Sequence, residues 1–319
     1  MRINLAASLL ACAACIAGSA EGQPRSHAGW AHAKPSIEGT WRVNFTLSME
    51  ATPSTPELIV SEKDAKTLAA VAGAALSAEF ASTLDPEVPA LVIESDGLPI
   101  VRGQRRTRAV VQPTDGKLPY TAAARREAES PPPDTPYDNP EQRPNAERCL
   151  VGSSQPPLSS FALDSELQII QTRDQVVIHT EYGDDVRVVP LKRAHAPRAL
   201  WSRMGDSIGH WEGDTLVIET VGMPDSDRYR LAPTLIVPGE AKVIERLTPI
   251  SNRELLYQFT VVDPKAYAAP WLGEFSWFRT DKPMYEHACH EGNYSLPNVL
   301  AGARHDEAVA KAAGAAAGH

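Results

Sequence analysis

The chain has 319 residues, of which 43% are hydrophobic, 22% charged and 6% aromatic; that is enough apolar material for a core, so neither a collagen-like nor a wholly disordered chain is expected. Its 31 basic and 40 acidic side chains give a net charge of −9, which argues against a protein whose main task is to neutralise nucleic-acid phosphates or anionic lipid. The 27 prolines outnumber the 20 glycines, so a tract of the chain should be extended or irregular.

The N-terminus reads as a secretory signal, residues 1–20. Met1-Arg2 is a short positive start, residues 3–16 are nearly all apolar, and Gly18-Ser19-Ala20 offers small residues for cleavage after Ala20. The apolar run is shorter than the roughly 20 residues a membrane span needs; Leu9-Leu10-Ala11-Cys12 keeps a lipid anchor at Cys12 as the alternative. The sequence thus predicts an exported protein, periplasmic or secreted, without a transmembrane segment. Cleavage leaves Cys149 and Cys289, in a compartment where disulfides persist, and a bridge between them is expected. Two buried thiols too far apart to bond are the alternative.

After a flexible leader, 21–36, residues 37–47 read as a first strand, with Trp41, Val43 and Phe45 on one face behind a glycine turn. Ser61 and Asp64 look like an N-cap pair, and the Ala- and Leu-rich run to residue 81 suits a helix. Arg102, Arg105, Arg106 and Arg108 form a basic knot, read as a solvated loop rather than a phosphate site because no aromatics interleave. This whole region, 37–128, is expected to pack on a β unit. The proline-rich tract 129–148 can be neither helix nor central strand, and reads as an extended surface strap with Tyr137 as an anchor.

From Cys149 the pattern turns regular. Strand pairs are predicted at 175–182 with 185–191, 207–211 with 215–221, 242–248 with 254–263, and 271–279 with 284–289, linked by turns such as Gly183-Asp184 and Glu212-Gly213-Asp214. About eight successive strands with short links predict a mainly β fold: an antiparallel meander closing into a barrel or strongly curved sheet over 149–295, with peripheral helices. Crossover helices for a parallel sheet are missing. Residues 296–319 form a C-terminal helix and tail.

Gly205-Asp206-Ser207-Ile208-Gly209 matches the G-x-S-x-G nucleophile elbow, but that elbow needs a strand before the serine and a helix after it, and here a hairpin follows. In His287-Ala288-Cys289-His290-Glu291, a strand end would point the two imidazoles to opposite faces, so no metal site is expected. An acid-base pair of His290 and Glu291 with Tyr285 or Tyr294 nearby suits imidazole's near-neutral titration; a turn held by hydrogen bonds of His290 and Asn293 is the plainer reading. His179 and Glu181 share a strand face, with Arg187 following in the partner strand; which face is inward is open. Trp211-Glu212-Gly213-Asp214-Thr215-Leu216-Val217 reads as a structural hairpin.

These strings, together with Tyr137-Asp138-Asn139-Pro140-Glu141, Arg148-Cys149-Leu150, Asp263-Pro264 with Pro270-Trp271, and Gly292-Asn293-Tyr294, resemble a large family of uncharacterised exported bacterial proteins from about Tyr137 to Arg304. The resemblance implies that this region is one unit, that Cys149 and Cys289 both belong to the pattern, and that the position of His287 commonly holds Tyr, which weakens a two-histidine metal site further. It brings no established reaction. Gly39-Thr40-Trp41 and the meander resemble lipocalin-type (calycin-like) barrels at the level of fold alone.

Taken together, the sequence predicts an exported enzyme of lyase, isomerase or hydratase type, without a redox or other cofactor, working on a small organic molecule in a barrel cavity. His290 would be base or acid, Glu291 or Glu181 its partner, and Arg187 or Tyr182 an oxyanion stabiliser. The alternative is a periplasmic binding protein whose contact surface is Trp271, Trp277 and Tyr257, with His179 also facing the ligand. An esterase using Ser207 is the third reading. No nucleic-acid partner is expected, and oligomeric state is not legible.

Overall fold

The computed structural model describes residues 35–43, 48–83, 98–130, 137–150, 152–158, 166–230 and 235–317. The predicted signal and nearly all of the leader lie outside these. Ten strands form one sheet: β1 (Gly39–Val43), β2 (Val110–Gln112), β3 (Glu166–Gln171), β4 (Gln175–Thr180), β5 (Asp185–Pro190), β6 (Asp206–Glu212), β7 (Thr215–Val221), β8 (Lys242–Pro249), β9 (Glu254–Val262) and β10 (Trp271–Arg279). They run antiparallel in the order β5-β4-β3-β1-β10-β9-β8-β7-β6, with β2 added to β10. The expected meander is therefore present as a nearly closed barrel. Its β1 is not an outlier packed on the barrel but a stave between β3 and β10, with Trp41 opposite Leu167 and Arg279.

The two end strands, β5 and β6, complete the barrel by packing rather than by a ladder. A side chain at Gly209 would reach within 2.9 Å of Val189 Cγ1 and 3.1 Å of Leu191 Cδ2, so glycine there lets β5 close onto β6. Inward positions alternate along each strand, as on Val176, Ile178 and Val189, or Leu255, Tyr257, Phe259 and Val261. The wide, aromatic interior is filled: Tyr257 stacks on Trp277 at 4.6 Å between ring centres, and Phe259 meets Trp271 edge-on at 5.5 Å.

Among the described residues four α-helices lie outside the sheet: α1 (Glu62–Thr83), α2 (Ala122–Glu129), α3 (Cys289–Gly292) and α4 (Ser295–Ala317). Ser61 caps α1 as expected, its Oγ accepting from the Asp64 amide and donating to the Asp64 carboxylate. None of the described helices is long and apolar enough to cross a membrane.

Three expectations are corrected. Residues 284–288 form no strand: β10 ends at Arg279, and the chain runs without regular structure from there to α3. The tract before Cys149 is not extended throughout: short 3-10 turns occupy Pro140–Gln142 and Asn145–Arg148, and Arg143 lies over the Tyr137 ring at 3.8 Å. The arginine knot is not a solvated loop. Arg102 and Arg106 both pair with Glu274, Arg105 pairs with Glu62, and Arg108 donates to the carbonyls of Val110 and Pro56. Glu274 points outward from β10, so these cations seal the sheet's outer face where a lone buried carboxylate would be costly.

Candidate functional site

Four loops meet at one end of the barrel, because β6 and β8 begin where β7 and β9 end. Residues 201–203, 222–228, 238–240 and 263–266, with one side of α2, enclose a cleft of about 890 Å³. Thr121 starts α2 by accepting from the Ala124 amide, and Thr121 N donates to Ala266 O, which fixes the helix against the loop after β9. Glycines permit the close loop packing. Gly222, at φ +72°, lies under the Trp201 ring, where a Cβ would come within 1.9 Å of Trp201 Cε3, and Trp201 Nε1 donates to Ala196 O. Behind Trp201, His195 bridges Asp206 (2.6 Å) and Glu219 (3.2 Å), tying the 193–196 linker to β6 and β7.

Met223, Pro224, Pro238, Ala124 and Ala266 give the cleft an apolar floor. Charges form its rim in pairs: Arg228 with Glu127 and Asp225, Arg198 and Lys265 with Glu240, and Arg203 with the buried Asp227. Asp227 Oδ2 also accepts from Gln155 Nε2 at 2.7 Å, and its Oδ1 accepts from Asn145 Nδ2, so the segment leading to and from Cys149 braces this wall. Asp263 differs from the rest. Its Oδ1 accepts the amides of Lys265 (2.7 Å) and Ala266 (3.2 Å), while its buried Oδ2 has no hydrogen-bond partner.

The residues singled out in the sequence fall in three other places. Arg187 points into the barrel, opposite Ile178 in the β4–β5 register, so it is on the other face from His179 and Glu181 and no triad forms. His179 bonds Asp184 at the surface (2.6 Å). Trp271, Trp277 and Tyr257 are at most 1% exposed, Tyr257 stacking on Trp277 and Trp271 packing against Phe259 and Tyr267, which makes them core and not a contact surface. Ser207 is buried within β6, bonded to Thr220 Oγ1 at 2.8 Å, with no helix after it; it lacks the exposed elbow an esterase nucleophile requires.

The third place is the outer rim by α3. A disulfide joins Cys149 to Cys289, with Cα atoms 5.7 Å apart, and Asn293 Nδ2 donates to Glu147 O at 2.8 Å. His290 and Glu291 are exposed on α3. Glu181 Oε2 accepts the Tyr285 amide, and Tyr182 meets His287 edge-on at 5.0 Å, so Glu181 and Tyr182 do converge with the 285–287 segment. Beside them Glu166, opposite Arg42, is buried with Oε1 unpartnered; burial first, and the Glu181 charge second, push its carboxyl above the usual range. Among the described residues no group of His, Cys, Asp or Glu is arranged to hold a metal ion.

The loop residues of the cleft were missed from sequence, although Asp263 stood in one of the motif strings and Gly222 follows directly on a predicted strand. No protein-family model matches the chain, and no curated protein matches it significantly.

Proposed function

We propose that the protein binds a small organic molecule in the cleft at the β6–β9 end of the barrel. The observation that carries this reading is the cleft itself: about 890 Å³ with an apolar floor and a charged rim, within the size range of small-molecule sites. Export fits the apolar run at 3–16 and the disulfide between Cys149 and Cys289. Ala123 is exposed on α2 and lines the cleft, so Ala123→Trp should obstruct it without disturbing the core. In ligand-observed NMR over a panel of small amines, acids and alcohols, compounds that bind the parent protein should lose their signal with that variant. Equal binding by both proteins, or no binding by the parent, would reject the cleft as the site.

A second reading, acid-base catalysis, is favoured by the carboxyl pair Glu166 and Glu181 beside Tyr182 and His287. Burial that favours the protonated carboxyl is the condition a general acid needs, so Glu166 would take the part expected of His290. The raised value has a stability consequence. Folding favours the protonated form of Glu166, so its contribution is full below the unfolded-state value and is lost as pH rises through the folded-state value. Glu166→Gln should therefore raise the melting temperature at pH 8 and change it little at pH 4. A melting temperature that falls at pH 8 would show that the ionised carboxylate is well paired and unsuited to this role.

A further inference from the structure

We infer that the cleft's ligand is a neutral ring carrying adjacent hydroxyls, a sugar or glycoside, rather than an amine or an acid. This rests on the cleft being the binding site. Every cation of the lining already has an acidic partner: Arg228 with Glu127 and with Asp225, each at 3.1 Å, Arg203 with Asp227 at 2.9 Å, and Arg198 and Lys265 with Glu240 at 3.7 and 3.5 Å. A ligand with one net charge would find its counter-charge committed and a like charge beside it. A hydroxyl both donates and accepts, so one can donate to the carboxylate while its neighbour on the ring accepts from the guanidinium, and the ion pair stays intact. These groups are within a ligand's reach. The side chains of Arg198, Lys265, Asp225 and Glu240 are 75%, 77%, 63% and 63% exposed, and those of Arg228 and Glu127, deeper in, are still 29% and 35% exposed.

Donors and acceptors are also held in place. Arg228 sits between Glu127, on α2, and Asp225, in the 3-10 turn that it ends, and Asp225 Oδ1 accepts the Gly239 amide at 3.1 Å, so this pair is set before any ligand arrives. Trp201 is the one aromatic side chain of the lining, braced by Gly222 and by the bond from its Nε1 to Ala196 O. The guanidinium over its ring, 5.3 Å from the centre, belongs to the exposed Arg198, which can yield that face to a ligand ring. The C–H bonds of a sugar ring suit the negative face of an indole, and Met223 and Pro224 add apolar contact.

The probes are the methyl glycosides of glucose, galactose, mannose and N-acetylglucosamine, with cyclohexanol, cyclohexylamine, cyclohexanecarboxylate and leucine for comparison, titrated by saturation-transfer NMR on the protein lacking residues 1–20. The best glycoside should bind about tenfold or more tightly than any of the four comparison compounds. Trp201→Leu should weaken it about threefold to tenfold. Asp225→Asn keeps an oxygen for the Gly239 amide but relieves Arg228 of one acid, so it should fold normally by its melting temperature, weaken the glycoside, and strengthen cyclohexanecarboxylate about threefold. If a charged or zwitterionic probe, or cyclohexanol, binds as tightly as the best glycoside, or if Asp225→Asn leaves every affinity unchanged, the neutral polyhydroxylated class is wrong. In that case binding that disappears in Ala123→Trp would leave the cleft reading standing. Glycoside binding that survives Ala123→Trp unchanged, or no binding of any probe, would reject both.

Discussion

Glu245→Ala should destabilise the protein by about 3–5 kcal/mol in denaturant unfolding, and the double variant Arg187→Met with Glu245→Leu should recover most of that loss. The side chains of Arg187 and Glu245 are 1% and 0% exposed inside the barrel, and Arg187 Nη2 lies 2.8 Å from Glu245 Oε1. Arg187 also donates to Thr220 Oγ1, which bonds Ser207, while the Tyr257 hydroxyl donates to Glu245 Oε1 at 2.9 Å and accepts the Leu158 amide. Burial opposes the Arg187 charge and Glu245 outweighs it, holding the guanidinium above its usual range; burial, with the Glu245 charge, holds the Tyr257 hydroxyl well above its own. Removing Glu245 strands a cation in an aromatic core, whereas removing both charges leaves a volume that apolar side chains can fill. A single variant as stable as the parent would mean that water reaches Arg187. Failure of the double variant to recover would make the polar chain, and not the charge alone, the source of the stability.

Replacing Cys149 and Cys289 by serine should cost about 2–5 kcal/mol, because the bridge closes a separation of 140 residues and restricts the unfolded chain. The first effect should be local. The bridge and the Asn293–Glu147 bond hold α3 and the 281–288 segment to the turn at Asn145–Arg148. Hydrogen exchange should therefore quicken at 281–293 and in the 145–155 segment before the barrel strands respond. Uniform exchange across the whole protein would show that the bridge acts only through the unfolded state. Thiol counting on unreduced, denatured protein lacking residues 1–20 should find none free; two would remove the basis of the prediction.

The hairpins were legible because turn and strand signals agree locally: Glu212-Gly213-Asp214 joins β6 to β7, and the alternation through Leu255, Tyr257 and Phe259 marks β9. The inward side of β4 and β5 was not, since His179 and Ile178 are both compatible with a half-buried strand and a one-residue change of register exchanges them. The Ile178–Arg187 pairing settles it, and sends the one arginine of β5 toward a glutamate on β8 that no local pattern connects to it. The aromatic residues misled for a related reason. Large rings on a strand suit a ligand wall or a packed centre equally well, and only the distance between facing strands decides.

The cleft was illegible for a different reason. Its walls come from four loops and a helix spread over residues 123–266, and loop residues carry no periodicity. Asp263 was visible as half of Asp263-Pro264, yet nothing in that dipeptide says that one carboxylate oxygen is committed to the backbone and the other is not. The rim carboxyl Glu166 likewise begins a strand, β3, that was not foreseen, because residues 166–171 mix polar and apolar positions without a bounding turn signal.

The packing of β5 against β6 across Gly209 bears on how this molecule behaves among others of its kind. These are the terminal strands of the sheet, and terminal strands ordinarily present unpaired amides and carbonyls to which a foreign strand can add. Here the two edges lie against each other, so each screens its neighbour from solvent and from other chains. A bulky side chain at position 209 would wedge them apart and expose two adhesive edges at once, turning a screened seam into a template for aggregation.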